Sequence, residues 1–414
     1  MIKQGIIYFF EYLLMLMIIL DFNTPYIYFP IIKNTVILLI IISAVVLILF
    51  NWRNLTLDAI AFTFLIIVGA LFPFLNVYEG KTIAYIKLYF VILPLLLILT
   101  SSYMSEERES VSHLFIKFSN IVAVIAIISL FFWFLGSTLE LIPSTAIIPN
   151  SWGHDKFIPT YFGIYFETQE AVAASGAESM IRNSGVFNEA PMYNMILCTA
   201  LSVELFLRPR ICIKRIILFT LTIITTISTT GLIFMFIVYA IKAYNSFASN
   251  YKLQMILLLP IFILMGVLSI NNILDNKKET GEYSYNSRSH DIVKCIEVGI
   301  ENPIAGVGIM YKAAYAESNF FGFSNSLFGV FAHGGFYFLL LYLFPFLIIP
   351  LILLLKYKNS SIGGILLSYF GVFSFTVSEY KVLTIFVIAC SLSYWYFVVF
   401  KKRNNIISVT DFLY

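Results

Sequence analysis

The sequence predicts an all-α polytopic membrane protein with about twelve transmembrane helices and two long extracytoplasmic loops. Three observations lead there. Of 414 residues, 60% are hydrophobic and 12% charged, with a mean hydropathy of +0.90; a soluble domain is roughly half apolar and a quarter charged. Apolar runs recur at the ~20 residues a helix needs to cross the hydrocarbon. The basic short loops fall on alternate sides of those runs. The formal net charge of +3 matters less than its distribution. Phe (41) and Tyr (26) are abundant, as expected of residues packed between helices and along membrane interfaces.

The first run follows no cleavable signal pattern and is expected to stay as a helix. Spans are predicted at 5–21, 31–50, 55–75, 83–101, 113–135, 190–207, 214–227, 229–244, 252–270, 327–353, 361–377 and 381–400. The pair 214–227 and 229–244 flanks Thr225-Thr226-Ile227-Ser228-Thr229-Thr230-Gly231, and one long helix is the alternative. Charge decides between them. With two spans, Arg53, Arg108, Lys117, Arg208, Arg210, Lys214, Arg215, Lys242, Lys252, Lys356, Lys358 and the tail Lys401-Lys402-Arg403 all share one side. That side is then cytoplasmic, with both termini on it. A break between two short spans survives only where protein or a wet cavity satisfies the freed backbone. The whole reads as a single integral membrane domain.

Loops 136–189 and 271–326 then face outward, and loops of such length usually carry function. The first is rich in Gly, Pro and aromatics, including Trp152, Gly153, Tyr161, Phe162 and Tyr165. It reads as an ordered cap with carbohydrate-like or lipid-facing surfaces. In the second, a short amphipathic helix is predicted after Arg288. Ile292, Ile296 and Ile300 would form its apolar face, and Asp291 would sit in its first turn, where the dipole favours an acid. Asn302-Pro303 ends it, and Gly306 and Gly308 allow a turn that side chains would obstruct.

Of eight arginines, only Arg182 and Arg288 fall outside. A guanidinium is a planar fork suited to phosphate oxygens, so the pair suits a lipid-linked diphosphate; pairing with loop acids such as Glu178, Glu189, Asp291 and Glu297 is the alternative. His290 is a donor or base beside the same anion, or a solvated surface group. His333 lies inside a span next to Gly334 and Gly335, where an ionisable group is either functional or hydrogen-bonded to a neighbouring helix. Lys87 is placed to snorkel. The glycine turn lacks the Lys-Ser/Thr and strand of a nucleotide-binding loop, so neither nucleotide nor nucleic acid is expected. Cys198, Cys212, Cys295 and Cys390 have no ligand spacing; neither metal nor disulfide is expected.

An outside arginine, a short helix, Asn302-Pro-x-x-Gly306-x-Gly308 and an Asn325-containing segment entering an apolar helix resemble the O-antigen polymerase and ligase superfamily (Wzy and WaaL). Arg182-Asn-Ser-Gly-Val-Phe-Asn-Glu-Ala-Pro191 and the Ser228-Thr-Thr-Gly231 break resemble the same proteins, and the resemblance covers roughly residues 180–345. It implies glycan transfer from an undecaprenyl diphosphate carrier at the outer face of the bacterial cytoplasmic (inner) membrane, without a cofactor or nucleotide sugar. Partners would be the undecaprenyl-diphosphate-linked oligosaccharide, membrane lipid, and a chain-length regulator and flippase of the same pathway. Arg182 and Arg288 would stabilise the leaving diphosphate. Glu189 and His333 are candidates for the base; His290, Asn325, Gly306 and Gly308 would contact substrate. The ligase branch carries a His-Asn pair where this chain has Ser324-Asn325-Ser326, which favours polymerase. Ligase and flippase are the alternatives; few charges inside spans (Glu11, Lys87, Glu204, His333) disfavour transport.

The topology carries its own test. In a background lacking the native cysteines, Ser151→Cys and Asn276→Cys should both react with an impermeant thiol reagent in intact spheroplasts. Labelling of only one of them would mean that 214–244 crosses once.

Overall fold

The structure is a computed structural model that describes residues 2–78, 80–104, 111–150, 156–171, 180–247, 282–310, 325–357 and 360–398. The predicted span 252–270 and Ser151, Trp152, Gly153, Glu178, Lys277, Lys278 and Ser324 lie outside the described residues.

Among the described residues, six helices are long and apolar enough to cross a membrane: Lys3–Asp21, Pro30–Phe50, Leu57–Phe74, Thr82–Ser102, Ser112–Thr138 and Ser326–Leu355. Ala190–Phe206, Thr229–Ala243, Ser361–Phe375 and Val382–Tyr396 are shorter apolar helices. Each lies over a predicted span. Ile213–Thr225 has 13 residues, which cover about 20 Å, less than the ~30 Å hydrocarbon core. The helices are labelled α1 (Ile2–Asp21), α2 (Pro30–Phe50), α3 (Leu57–Phe74), α4 (Thr82–Tyr85), α5 (Leu93–Ser102), α6 (Ser112–Phe132), α7 (Ala190–Phe206), α8 (Ile213–Thr225), α9 (Thr229–Phe247), α10 (Glu282–Glu301), α11 (Ser326–Leu343), α12 (Ile349–Leu355), α13 (Ser360–Phe375) and α14 (Val382–Tyr396). The chain divides into two compact units. One comprises residues 1–22, 33–118 and 289–414, the other 23–32 and 119–288.

In the first unit, small hydroxyl residues let α5 and α14 pack closely. Thr100 Oγ1 lies 2.7 Å from Ser393 Oγ, and Ser101 Oγ 3.1 Å from it. Such pairs satisfy themselves without water, as lipid requires. Glu11 accepts from the Tyr103 hydroxyl at 2.9 Å. Lys117 lies 4.0 Å from the same carboxylate and 3.3 Å from the Tyr8 ring centroid. A charge pair is thus held among helices with an aromatic face over its cation.

The feature that organises this unit is a break in α11. Gly335 has φ 62° and ψ −163°, a conformation open essentially to glycine. The helix therefore stops before Gly335 and restarts after it, freeing carbonyls and an amide. The segment Pro303–Ile309 fills the gap. Val307 N donates to Ala332 O and Gly308 N to His333 O, both at 3.0 Å; Phe336 N donates to Pro303 O at 2.7 Å. From its other side, the Asn76 side-chain amide donates to Ala305 O. Val77 and Ile309 form a parallel bridge, with Tyr78 N donating to Ile309 O at 3.1 Å and Ile309 N to Asn76 O at 2.9 Å. A Cβ on Gly306 would collide with the His333 carbonyl, and one on Gly335 with Pro303 and Ile304.

Two expectations for α10 are corrected. The helix begins at Glu282, upstream of Arg288, so Asp291 lies mid-helix and not in the first turn. Nothing between Tyr283 and His290 breaks a helix, so it propagates upstream once its far end is packed. The buried face is also different. Asp291, Cys295, Val298 and Gly299 face inward, while Ile300 is 64% exposed. Small residues let Cys295 and Val298 reach Ala332, with Val307 and Phe328 around them. The helix does end at Glu301, before Asn302-Pro303.

The second unit is built around α7, whose residues are buried on nearly every side by α8 and α9. Below its C-terminus, Glu204 is enclosed with Ser119 Oγ at 2.6 Å, Arg208 Nε at 2.8 Å and Arg215 Nη1 at 3.3 Å. Among its described residues, loop 136–189 carries five short strands, which an all-helical fold class does not include. β1 (Ala146–Asn150), β2 (Lys156–Tyr161) and β3 (Tyr165–Phe166) form an antiparallel sheet, and β4 (Glu170–Ala171) pairs with β5 (Met180–Ile181). In register, Ile148 faces Ile158 and Tyr161 faces Tyr165. Tyr161 and Tyr165 pack on Phe132, anchoring the sheet to the end of α6.

The break in α11 predicts a selective cost. Gly335→Ala should lower the melting temperature of the detergent-purified protein, with a penalty of about 1–3 kcal/mol from backbone strain alone. Gly5→Ala, with open space around it, should leave melting unchanged. Equal melting of the two variants would show that the break does not hold the unit together.

Candidate functional site

The site best defined by the structure lies in the second unit, at a cavity of about 440 Å³ lined by Phe157, Glu167, Thr168, Gln169, Ile181 and Arg182, among others. Strand β2 supplies Phe157. The β2–β3 hairpin delivers Glu167 to Gln169. Arg182 directly follows strand β5, and its backbone N donates to Gln169 O at 3.0 Å, which pins the two segments together.

Arg182 is held by a second helix break. Between α8 and α9, Thr226 to Ser228 leave the helical path, and Ile227 takes φ 50°. Arg182 Nε donates to Thr226 O at 2.9 Å, and Asn183 N to Thr225 O at 3.1 Å. The Asn183 side chain reaches Thr225 Oγ1 at 3.0 Å, and Asn194 on α7 reaches Thr226 Oγ1 at 2.8 Å. The break expected around Ser228-Gly231 lies slightly upstream, at Thr226–Ser228, with Thr229 to Gly231 already helical, and the segment Arg182-Asn183 satisfies it. This arrangement fixes the base of the guanidinium beside the cavity.

Glu167 is equally well oriented. Its Oε1 accepts from Ser137 Oγ at 2.6 Å and from the Tyr161 hydroxyl at 2.9 Å. Burial and the Glu167 carboxylate push the Tyr161 hydroxyl up to about 12, so it stays a donor across the physiological range. Gln169 Oε1 accepts from Ala190 N at 3.0 Å, capping α7 from a distance. Glu189, the residue at the cap position, makes no side-chain cap bond. Its carboxylate instead acts on Tyr28, whose hydroxyl is pushed up to about 12, first by burial and then by Glu189.

Gly306, Gly308, His333, Asn325 and His290 fall in the first unit, whereas Arg288 is the last residue of the second. Gly306 and Gly308 meet His333 at the break, as described. His333 is 1% exposed and its Nδ1 lies 2.8 Å from the Tyr380 hydroxyl. Asn325 caps α11, its Oδ1 accepting from Phe328 N at 2.9 Å, which is the positioning role expected for it. His290 is exposed on α10. The backbone of Arg288 is helical, but its side chain lies outside what is described.

Sequence reasoning missed two groups. Glu167, Thr168 and Gln169 carry no motif; only the hairpin brings them to Arg182. In the first unit, Glu379 is buried, its Oε2 accepting from Ser326 Oγ at 2.9 Å and its backbone O from the Tyr342 hydroxyl at 2.6 Å. Burial first, then the carboxylates of Asp291 and Glu379, push the Cys295 thiol up to about 12. The signal was an acid beside a tyrosine in a short turn between apolar helices. No His/Cys/Asp/Glu cluster fit for a metal occurs among the described residues.

No family model matches the chain, and no curated protein or solved structure matches it either.

The capping geometry is testable. Gln169→Ala should cost about 1 kcal/mol, as loss of a helix cap does, whereas Glu189→Gln should cost distinctly less. Urea or thermal melts of the purified protein would read both, and the reverse order would refute the assignment.

Proposed function

We propose that the chain is a polysaccharide polymerase at the outer face of a bacterial cytoplasmic membrane, with about twelve spans and both termini inside. It would join undecaprenyl-diphosphate-linked repeat units of O-antigen or a similar surface polysaccharide. The observation that carries this reading is the cavity beside Arg182. Its lining mixes polar and apolar side chains, it is built by the long loop that charge bias assigns to the outside, and it includes a guanidinium held through its Nε. The motif resemblance adds to it.

In the reaction, a hydroxyl oxygen of the acceptor repeat attacks the anomeric carbon of the donor chain. A new glycosidic C–O bond forms, the bond from that carbon to the diphosphate oxygen breaks, and undecaprenyl diphosphate leaves. Arg182 and Arg288 stabilise the charge that develops on the leaving oxygen. The hydroxyl proton goes to a base, for which Glu189 is the remaining candidate, since His333 is enclosed against Tyr380. The leaving diphosphate supplies the driving force, so no nucleotide is needed outside the cell.

A flippase is less well supported. Glu11 and Glu204 are engaged by Tyr103 and Lys117, and by Ser119, Arg208 and Arg215. Such pairing suits structural roles more than a conduction path.

Purified protein given lipid-linked single repeats alone should form a ladder of lipid-linked oligomers. A ladder that appears only after lipid A core is added would establish a ligase instead. Arg182→Lys and Arg288→Lys keep the charge but lose the bidentate fork, and each should reduce long products by about tenfold or more at normal protein level; Lys277→Ala should be silent. Normal ladders from both arginine variants would refute their grip on the diphosphate.

A further inference from the structure

We propose that the cavity between the β2–β3 hairpin and β5 is a subsite for an uncharged sugar ring of the acceptor repeat, with Glu167 as its specificity-determining anchor. This rests on the polymerase reading for the identity of the saccharide, but the subsite stands on its own geometry.

The volume of about 440 Å³ falls within the ~300–1,000 Å³ range of small-molecule sites. Its polar groups are arranged for hydroxyls and not for a second anion. Both donors to Glu167, Ser137 and Tyr161, bind Oε1. Among the described residues, Oε2 makes no hydrogen bond. The carboxylate is thus fixed on one side and open on the other, and a charge-assisted acceptor of this kind is strong. Gln169 repeats the pattern. Its Oε1 is occupied by Ala190 N, while its Nε2 donates to no group among the described residues. An acceptor and a donor, both locked through their other atom, suit adjacent hydroxyls of one ring. The Glu167 carboxylate would repel an acidic sugar or a free phosphate beside it. The rim adds an apolar surface: Phe157 is 77% exposed on β2, with Pro159 also lining the cavity. An exposed aromatic at the mouth of a polar cavity matches the C–H face of a pyranose. Arg182 lines the same cavity, so the donor's diphosphate at the cation would lie beside the acceptor sugar at the carboxylate.

The probe is the repeat-unit oligosaccharide, released by mild acid from lipid-linked repeats of a strain lacking this protein. Isothermal titration with the detergent-purified full chain should show saturable binding. Glu167→Gln should weaken it by about tenfold, the loss of one hydrogen bond to a charged group. Phe157→Ala, at an exposed position where truncation leaves the fold intact, should weaken it by about fivefold. In the ladder assay Glu167→Gln should raise KM for the lipid-linked repeat far more than it lowers kcat. Absence of saccharide binding, binding of inorganic pyrophosphate in its place, or unchanged affinity in both variants would overturn the subsite. A loss confined to kcat would make Glu167 part of the chemistry and likewise overturn it. Glu167-dependent binding without any ladder would leave the subsite standing and remove the polymerase reading; a ladder with an unaffected KM would do the opposite.

Discussion

Each unit depends on the same constraint: a peptide group released from a helix inside lipid must find a partner within the protein. Gly335 releases the carbonyls of Ala332 and His333, and Thr226–Ser228 release those of Thr225 and Thr226. In the first case the glycine loop after α10 answers with its own amides. In the second, the Arg182 side chain and the Asn183 backbone amide answer, while the side chains of Asn183 and Asn194 hold the two threonine hydroxyls. These loop segments are therefore not appendages. Each is hydrogen-bonded into a helix break, and each break fixes a segment that carries the polar groups of interest. Arg182 owes its orientation to the carbonyl it satisfies.

That dual role sharpens how ionisable residues near the membrane are read. Glu204, Glu11 and His333 each have a partner that explains their burial. A buried ion pair is weak evidence for stability, yet breaking one costs more than replacing both members. Glu167 differs in kind. It directly follows β3 in the loop-built sheet, its geometry is set by two hydroxyls on one oxygen, and it lines a cavity.

The positions of the apolar helices among the described residues were legible because the length of an apolar run is a strong signal. The short junction at Thr226–Ser228 was legible too, from a run of hydroxyl residues that bond backbone locally. The cap at Asn325 followed from residue type at a helix start. Loop 136–189 was not legible, because its strands are two to six residues long and alternate too briefly to show a period of two. Helix α10 misled for a different reason. Its isoleucines show the correct spacing, but the small residues Cys295 and Gly299 permit the closer approach, and packing went to the face that could come nearest. Glu167 could not be found from sequence because its significance lies in Ser137 and Tyr161, far along the chain from Arg182.

The junction at Gly335 also constrains how the chain is made. The segment Pro303–Ile309 leaves the ribosome before the two half-helices it bridges. The amides of Val307 and Gly308 find their partners only once Ala332 and His333 have been synthesised, and the Phe336 amide finds its own only when the loop is in place. Neither half can be delivered to lipid as a finished rod, so insertion of this region is a joint event in which a re-entering loop and two half-helices become membrane-competent together.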